Sequence, residues 1–318
     1  MGPKKPDTTD IIPMESKKYP RREDIVGDAG LFVDDFIQAI GTEQIYRVMG
    51  VNPDKAFLIT GSPGNGKTMA IETLVNEINR NIVDDLLSGK TENKSMTQFK
   101  LLGFKYDTGR YGTAYINEGP KIIQNFFDVC FGVANYGVNS LVIFDEAENL
   151  FGRRQDSRGH KEDDKNIETI MKNIQALHYI DNAYVVMMSN FPEAFDEASI
   201  RSGRVDRKIE FKNPTDAERE FAYKQGIHRL NERAGYSVIR SYDTSELAKL
   251  SGGFSYSDVI ESINSAVKQK AKETSSKKNV EIIDLNVWIT QKGLKESIEK
   301  HRDKFVKKRE SRKIGFLV

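Results

Sequence analysis

Cysteine is almost missing from this chain: Cys130 is the only one among 318 residues. A lone thiol excludes an intramolecular disulfide framework and a zinc site built from cysteines, and it fits a reducing compartment. An excess of one charge is missing too. Lys and Arg total 48 against 47 Asp and Glu, a formal charge of +1, so no global field draws the chain to nucleic acid or anionic lipid. Long apolar runs are absent. The longest, Ala183 to Met188, falls far short of the roughly 20 residues that a spanning helix needs. Four histidines, His160, His178, His228 and His301, lie too far apart in the chain to make a metal motif. The opening MGPKKPDTTD lacks the apolar core of a signal peptide and carries Pro6 where a myristoylation signal wants Ser or Thr. The expectation is a cytoplasmic protein with no membrane span.

What is present points to two domains, the number the length favours. Residues 1–23 hold four of the nine prolines, mixed charges and no hydrophobic period, so a flexible N-terminal tail is expected. From Asp24 to Asn213, β-branched runs at Ala56 to Thr60, Ser140 to Asp145, Ala183 to Met188 and Lys208 to Phe211 alternate with helical stretches. That alternation implies crossover units and a mainly parallel sheet, an α/β nucleotide-binding domain. Residues 214–299 read as a smaller helical lid, with helices over Asp216 to Ala234, Thr244 to Leu250 and Ser257 to Lys270. Residues 300–318 form a basic C-terminal tail with eight basic and two acidic residues, either a solvated helix or a docking segment. Trp288 and the Phe126-Phe127 pair sit in helical patterns and are expected in the core.

The most specific signal follows the apolar run AFLIT. Gly61-Ser62-Pro63-Gly64-Asn65-Gly66-Lys67-Thr68 fits GxxxxGK[ST] in full and opens a helix at Met69. Glycines are needed there because backbone N–H groups must wrap phosphate oxygens without Cβ interference; Lys67 then reaches the β/γ-phosphates and Thr68 a Mg²⁺ ion. The helix adds its positive end to the same place. Further on, LVIFDEAENL sets Asp145 and Glu146 at the end of a buried strand, where two acids are costly unless a metal or polarised water satisfies them. Asp145 is the expected outer support of Mg²⁺, and Glu146 the residue that polarises the attacking water.

The stretch from Val185 to Phe211, VVMMSNFPEAFDEASIRSGRVDRKIEF, resembles the second homology region of the AAA ATPases. The resemblance implies that Asn190 is sensor 1, that Arg201 and Arg204 are arginine fingers inserted by a neighbouring subunit, and that Arg207 is structural. It extends to Asp24-Ile25-Val26-Gly27, similar to the entry motif whose backbone cups adenine, with Ile25 and Gly27 as contacts. Downstream, Gly252-Gly253-Phe254-Ser255-Tyr256-Ser257-Asp258 is similar to the GFSGAD segment of the core clade. Ala114-Tyr115-Ile116-Asn117-Glu118-Gly119 resembles the aromatic-hydrophobic-Gly pore loop of protein-threading members, with Tyr115 and Ile116 as the grip and Tyr111 as the rival aromatic. Gly152 to His160 stands where the family has a second pore loop. The family fold implies strand order 5-1-4-3-2, nucleotide between the lobes and against the next subunit, and a homo-oligomeric ring, most often a hexamer. The expected function is ATP-driven remodelling, unfolding or disassembly of a protein substrate or adaptor. Neither a folded domain before Asp24 nor a protease domain after the lid is expected, so specificity is expected to reside in the tails or a partner. A loader acting on nucleic acid would want a basic channel, which the near-zero net charge does not supply. A nucleotide-switched assembly factor would have no use for an intact Glu146, Asn190, Arg201 and Arg204.

Overall fold

A computed structural model of the chain describes residues 10–12, 20–87, 100–106, 119–151, 160–191, 204–275 and 288–314. Contacts divide it into two units: Met1–Ser62 with Lys67–Phe211, and Pro63–Gly66 with Lys212–Val318.

The first unit is a sheet between two layers of helices. Its elements run β1 (Asp10–Ile12), α1 (Gly27–Val48), β2 (Ala56–Gly61), α2 (Lys67–Leu87), β3 (Leu101–Tyr106), α3 (Gly119–Asn135), β4 (Asn139–Phe144), the single turn α4 (Glu148–Phe151), α5 (His160–Leu177), β5 (Ala183–Ser189) and β6 (Arg207–Phe211). The sheet order is β1-β3-β4-β5-β2-β6. The last five strands are mutually parallel. Numbered among themselves, those five give the expected order 5-1-4-3-2 read from the β6 edge.

Two features depart from the sequence reading. β3 was not among the expected strands: Leu-Leu-Gly-Phe-Lys-Tyr carries a glycine and a lysine that break its apolar run, yet four of its six residues are buried. And β1, inside the expected flexible tail, pairs antiparallel with β3, Ile11 opposite Phe104.

β2, β4 and β5 are buried along their whole length, which is why they read as unbroken apolar runs. Alternate residues serve opposite faces. Leu58, Val142, Val185 and Met187 pack with Phe126, Phe127 and Cys130 of α3 and with Ile170 and Ile174 of α5. Phe57, Ile59, Ile143, Tyr184 and Val186 pack with Phe32 and Phe36 of α1 and Ile71 and Leu74 of α2. Burial pushes the Cys130 thiol up to about 12, so this cysteine behaves as a small core residue.

At the strand ends remote from the glycine loop lies an ion cluster built on a buried pair. Lys55, fully buried, donates to Glu43 Oε1 of α1 at 2.7 Å and to the Ile180 carbonyl. The Tyr184 hydroxyl donates to Glu43 Oε2, and Arg47 reaches Oε1 at 3.3 Å. Burial alone would raise the Glu43 carboxyl, but Lys55, Tyr184 and Arg47 together hold it below its ordinary value. The cluster pins α1 to the entry of β2 and β5.

The second unit is helical: α6 (Asp216–Ala234), α7 (Thr244–Leu250), α8 (Tyr256–Ser275) and α9 (Gln291–Ile314). Local chemistry sets its boundaries. Thr215 and Glu218 form a reciprocal capping box at the start of α6, and Gly235, at φ 74°, closes it. Asp243 caps α7, while Ser255 and Asp258 exchange hydrogen bonds at the start of α8. Tyr223, Leu247, Phe254, Val259, Ile263, Leu294 and Ile298 fill the core. α9 runs straight through Lys300, where a lid-to-tail boundary was expected. Trp288 departs from expectation as well: it precedes α9, is 39% exposed and lies against the Arg240 guanidinium at 5.0 Å. Phe126 and Phe127 are core, as expected.

Removing Glu43 strands the Lys55 charge in the core, so Glu43→Ala should cost about 3–5 kcal/mol of stability in urea unfolding. Because the folded carboxyl titrates below its unfolded value, this contribution is present above the unfolded pKa and fades as pH falls through the folded one. The difference between wild type and variant should therefore narrow in acid.

Candidate nucleotide site

The site grows from the ends of β2, β4 and β5. β2 stops at Gly61 and α2 starts at Lys67, leaving a five-residue connection. Gly61, Gly64 and Gly66 hold φ of 142°, 86° and 86°, conformations that side chains resist. A Cβ on Gly61 would lie 2.2 Å from the Phe211 carbonyl oxygen of β6. Gly64 is hemmed in likewise: its Cβ would meet Ser255 Oγ at 2.7 Å, and its carbonyl accepts from the Ser257 N–H at 3.2 Å. Asn65 is buried and donates to Asn213 Oδ1 at 2.9 Å. At Gly61 the backbone of β6 thus leaves room only for glycine.

Lys67 is 8% exposed, and its Nζ donates to the Gly61 and Ser62 carbonyls at 2.7 and 3.1 Å. Burial lowers its pKa, while the charges of Glu148 and Asp145 oppose that shift. Thr68 is exposed on the first turn of α2 and Met69 is half-buried against the core. α2 brings its positive end to this point.

β4 delivers the acids. Asp145 follows Phe144 directly; its Oδ1 accepts the Glu146 N–H at 3.0 Å and its Oδ2 accepts Lys105 Nζ of β3 at 2.8 Å. Glu146 adopts φ 49°, a left-handed conformation rare for a side-chain-bearing residue. This turn exposes its carboxylate, which accepts from Asn149 Nδ2 at 3.1 Å. The Ala147 N–H donates to the Met188 carbonyl at 2.8 Å, tying the acidic turn to β5. One residue beyond β5, the Asn190 N–H donates to Glu148 Oε1 at 3.4 Å, and Glu148 Oε2 is buried with no hydrogen-bond partner among the described residues. Lys67, Asp145, Glu146, Glu148 and Asn190 therefore form one neighbourhood.

Ile25 is buried in the core, with its carbonyl accepting from Arg22 at 3.0 Å, and Gly27 has φ 66°. Arg204 is half-buried on a turn before β6. Arg207 pairs with Asp35 at 2.9 Å and approaches Asp54 at 3.9 Å, tying β6 to α1 and the entry of β2. Tyr111, Tyr115, Ile116, Arg201 and the segment 152–159 lie outside the described residues. Lys105, Glu148 and Asn149 were not singled out from the sequence. For the last two, the signal lay in plain view, three and four positions past Asp145 in DEAEN.

The donor set fits a phosphate ligand and its metal. Gly61 and Gly64, where a Cβ would clash, shape the loop, buried Lys67 donates to its Gly61 and Ser62 carbonyls, and Thr68 and Asp145 offer the oxygen donors that suit Mg²⁺. A strand, a glycine loop and a helix, with acids at the end of a parallel strand in the same sheet, define a P-loop nucleotide-binding protein.

Comparison narrows this class. The family model described as "ATPase family associated with various cellular activities (AAA)" matches residues 57–213, so the chain carries an AAA ATPase domain. It is 27% identical over 219 residues to the 26S proteasome subunit RPT4 of Saccharomyces cerevisiae, covering 68% of this chain and 43% of that protein. It is 28% identical over 179 residues to the 26S proteasome regulatory subunit 4 homolog of Encephalitozoon cuniculi, covering 56% and 36%. Against the proteasome-activating nucleotidase of Saccharolobus islandicus, identity is 23% over 269 residues, covering 82% and 60%. The chain thus spans less than two thirds of the length of each of these relatives. Among the described residues no helix is long and apolar enough to cross a membrane.

The Gly61 contact gives a direct test. Gly61→Ala should lower stability by about 1–3 kcal/mol through overpacking against β6. Gly41→Ala, in α1 with nothing within 4 Å of the added Cβ, should be neutral or gain up to about 1 kcal/mol. Paired urea unfolding curves check both.

Proposed function

We propose that this chain is an ATP-hydrolysing AAA motor that works as a homo-oligomeric ring, a hexamer by family habit, and remodels or unfolds a protein substrate. The observation that carries the reading is the meeting of Lys67, Asp145, Glu146 and Asn190 at the ends of three neighbouring parallel strands. Relatives named for the proteasome support a polypeptide as the substrate, and the absence of a membrane span among the described helices agrees with a cytoplasmic setting.

In this reading the loop Gly61 to Thr68, with Met69, Ile25 and Gly27, binds ATP. Thr68 and Asp145 hold Mg²⁺, whose charge offsets that of the phosphates when it is bound. Glu146, steadied by Asn149, takes the proton side of the attacking water. Asn190, fixed through Glu148, orients that water from β5. Arg201 and Arg204 supply cationic stabilisation to the neighbouring subunit's nucleotide, and Tyr115 with Ile116 grips the substrate chain in the pore.

Lys67→Ala should weaken ATP binding about 10- to 100-fold, the scale of a lost charge-assisted contact; calorimetric titration reads it, and unchanged affinity would remove the P-loop assignment. Arg204→Ala should cut turnover by about 10³ while sparing nucleotide affinity. Mixing it with Glu146→Gln protein should restore part of the rate if the arginine acts in trans. The solution mass of Glu146→Gln with ATP and with ADP tests the ring: a monomer in both states counts against it. Salt-sensitive stimulation of turnover by single-stranded DNA or RNA, and none by polypeptide, would favour the loader reading instead.

A further inference from the structure

Two lysines face the acidic strand end, and the phosphate loop accounts for only one of them. Lys67 belongs to the loop. Lys105 comes from β3, in register beside Ile143 of β4, so a side chain two positions before Asp145 on the neighbouring strand stands next to its carboxylate. The Lys105 Nζ lies 2.8 Å from Asp145 Oδ2. That oxygen belongs to the residue read above as the outer support of the metal, and a positive charge already sits on it.

The pair is open to exchange. Its side chains are 38% and 28% exposed, whereas those of the structural Lys55–Glu43 pair are 0% and 3% exposed. A solvated pair gives little net stabilisation and breaks cheaply; a sealed one does not. Lys105 also has somewhere to go. Burial raises the Glu72 carboxyl of α2 above its ordinary value, and the charge of Lys105 opposes that rise, which places a second carboxylate within its electrostatic reach.

We propose that Lys105 is a positioning residue for Asp145: an internal cation that holds the carboxylate in place, yields it to a divalent metal, and so sets how much magnesium the chain needs to bind nucleotide. The inference rests on the reading of Asp145 as a metal support. It predicts competition. Lysine and metal share one oxygen, so the half-saturating magnesium concentration of wild type is higher than the metal site alone would require, while nucleotide binding without metal owes nothing to Lys105.

The test measures binding of a fluorescent ADP analogue against MgCl₂ and in EDTA, and Mn²⁺ binding to nucleotide-free protein by electron paramagnetic resonance. Lys105→Met should lower the magnesium midpoint about three- to tenfold, the scale of one partly screened unit charge beside the ion. Mn²⁺ should bind correspondingly tighter, with affinity in EDTA unchanged. Lys105→Arg, which keeps the charge, should keep the wild-type midpoint. A midpoint unchanged or raised in Lys105→Met overturns the proposal. Weaker binding in EDTA also overturns it and makes Lys105 a phosphate ligand. Should Lys105→Met fail to fold, Lys105→Gln carries the same test. Asp145→Asn separates the two readings: if the magnesium midpoint does not move there, Asp145 is not the metal support; if it rises there while Lys105→Met lowers nothing, only the competition is wrong.

Discussion

A parallel ladder of hydrogen bonds fixes the relative height of neighbouring strands, and at this site that constraint governs everything else. β2, β4 and β5 pair side by side, Phe57 with Val186 and Val142 with Val185. Their carboxyl ends therefore emerge along one edge, and each strand there passes directly into a functional turn: the glycine loop after β2, the acids after β4, Asn190 after β5. No single turn would make a site. The ladder brings together residues up to 129 positions apart, counted from Gly61 to Asn190, without requiring long side chains to reach for one another. Short connections reinforce it, above all the Ala147–Met188 hydrogen bond and the Glu148–Asn190 contact.

Charge is sorted along the same strands. At their entry, Glu43, Lys55 and Tyr184 form a buried, mutually hydrogen-bonded set with the partly exposed Arg47 at its edge. At their exit, Asp145 and Glu146 are left partly open to solvent, with side-chain contacts from Lys105 and Asn149. The closed end contributes rigidity, since its charges have nowhere else to go. The open end keeps carboxylates whose partners can be replaced. Residues of the same chemical type thus serve opposite purposes, decided by how much water reaches them.

What the sequence makes legible is what the chain encodes locally. The glycine loop, its lysine and the strand ending in Asp145-Glu146 are contiguous patterns, and the helices of the second unit, Asp216 to Ala234 among them, announce themselves through their amphipathic period. The parts that stay hidden are relations between distant segments. Lys105 is an ordinary strand lysine until β3 pairs with β4 and sets it beside an acid 40 positions away. β3 itself escapes notice because a buried glycine, Gly103, and a half-buried lysine, Lys105, interrupt its apolar run. β1 is three residues of a Pro-rich segment that become a strand only because β3 offers an edge. Trp288 reads as core from the helical pattern around it, but the Arg240 guanidinium supplies a partner that lets the indole remain at the surface.

Cys130 carries a practical consequence. It lies on α3 against Phe127 and Phe144, is 1% exposed, and its thiol is pushed up to about 12 by burial. A reagent that attacks thiolates cannot touch it while α3 rests on the sheet. With no second cysteine to compete, the alkylation rate of the native chain becomes a clock for the lifting of one helix. Followed with and without nucleotide, that clock would report how firmly an occupied site clamps the layer behind it.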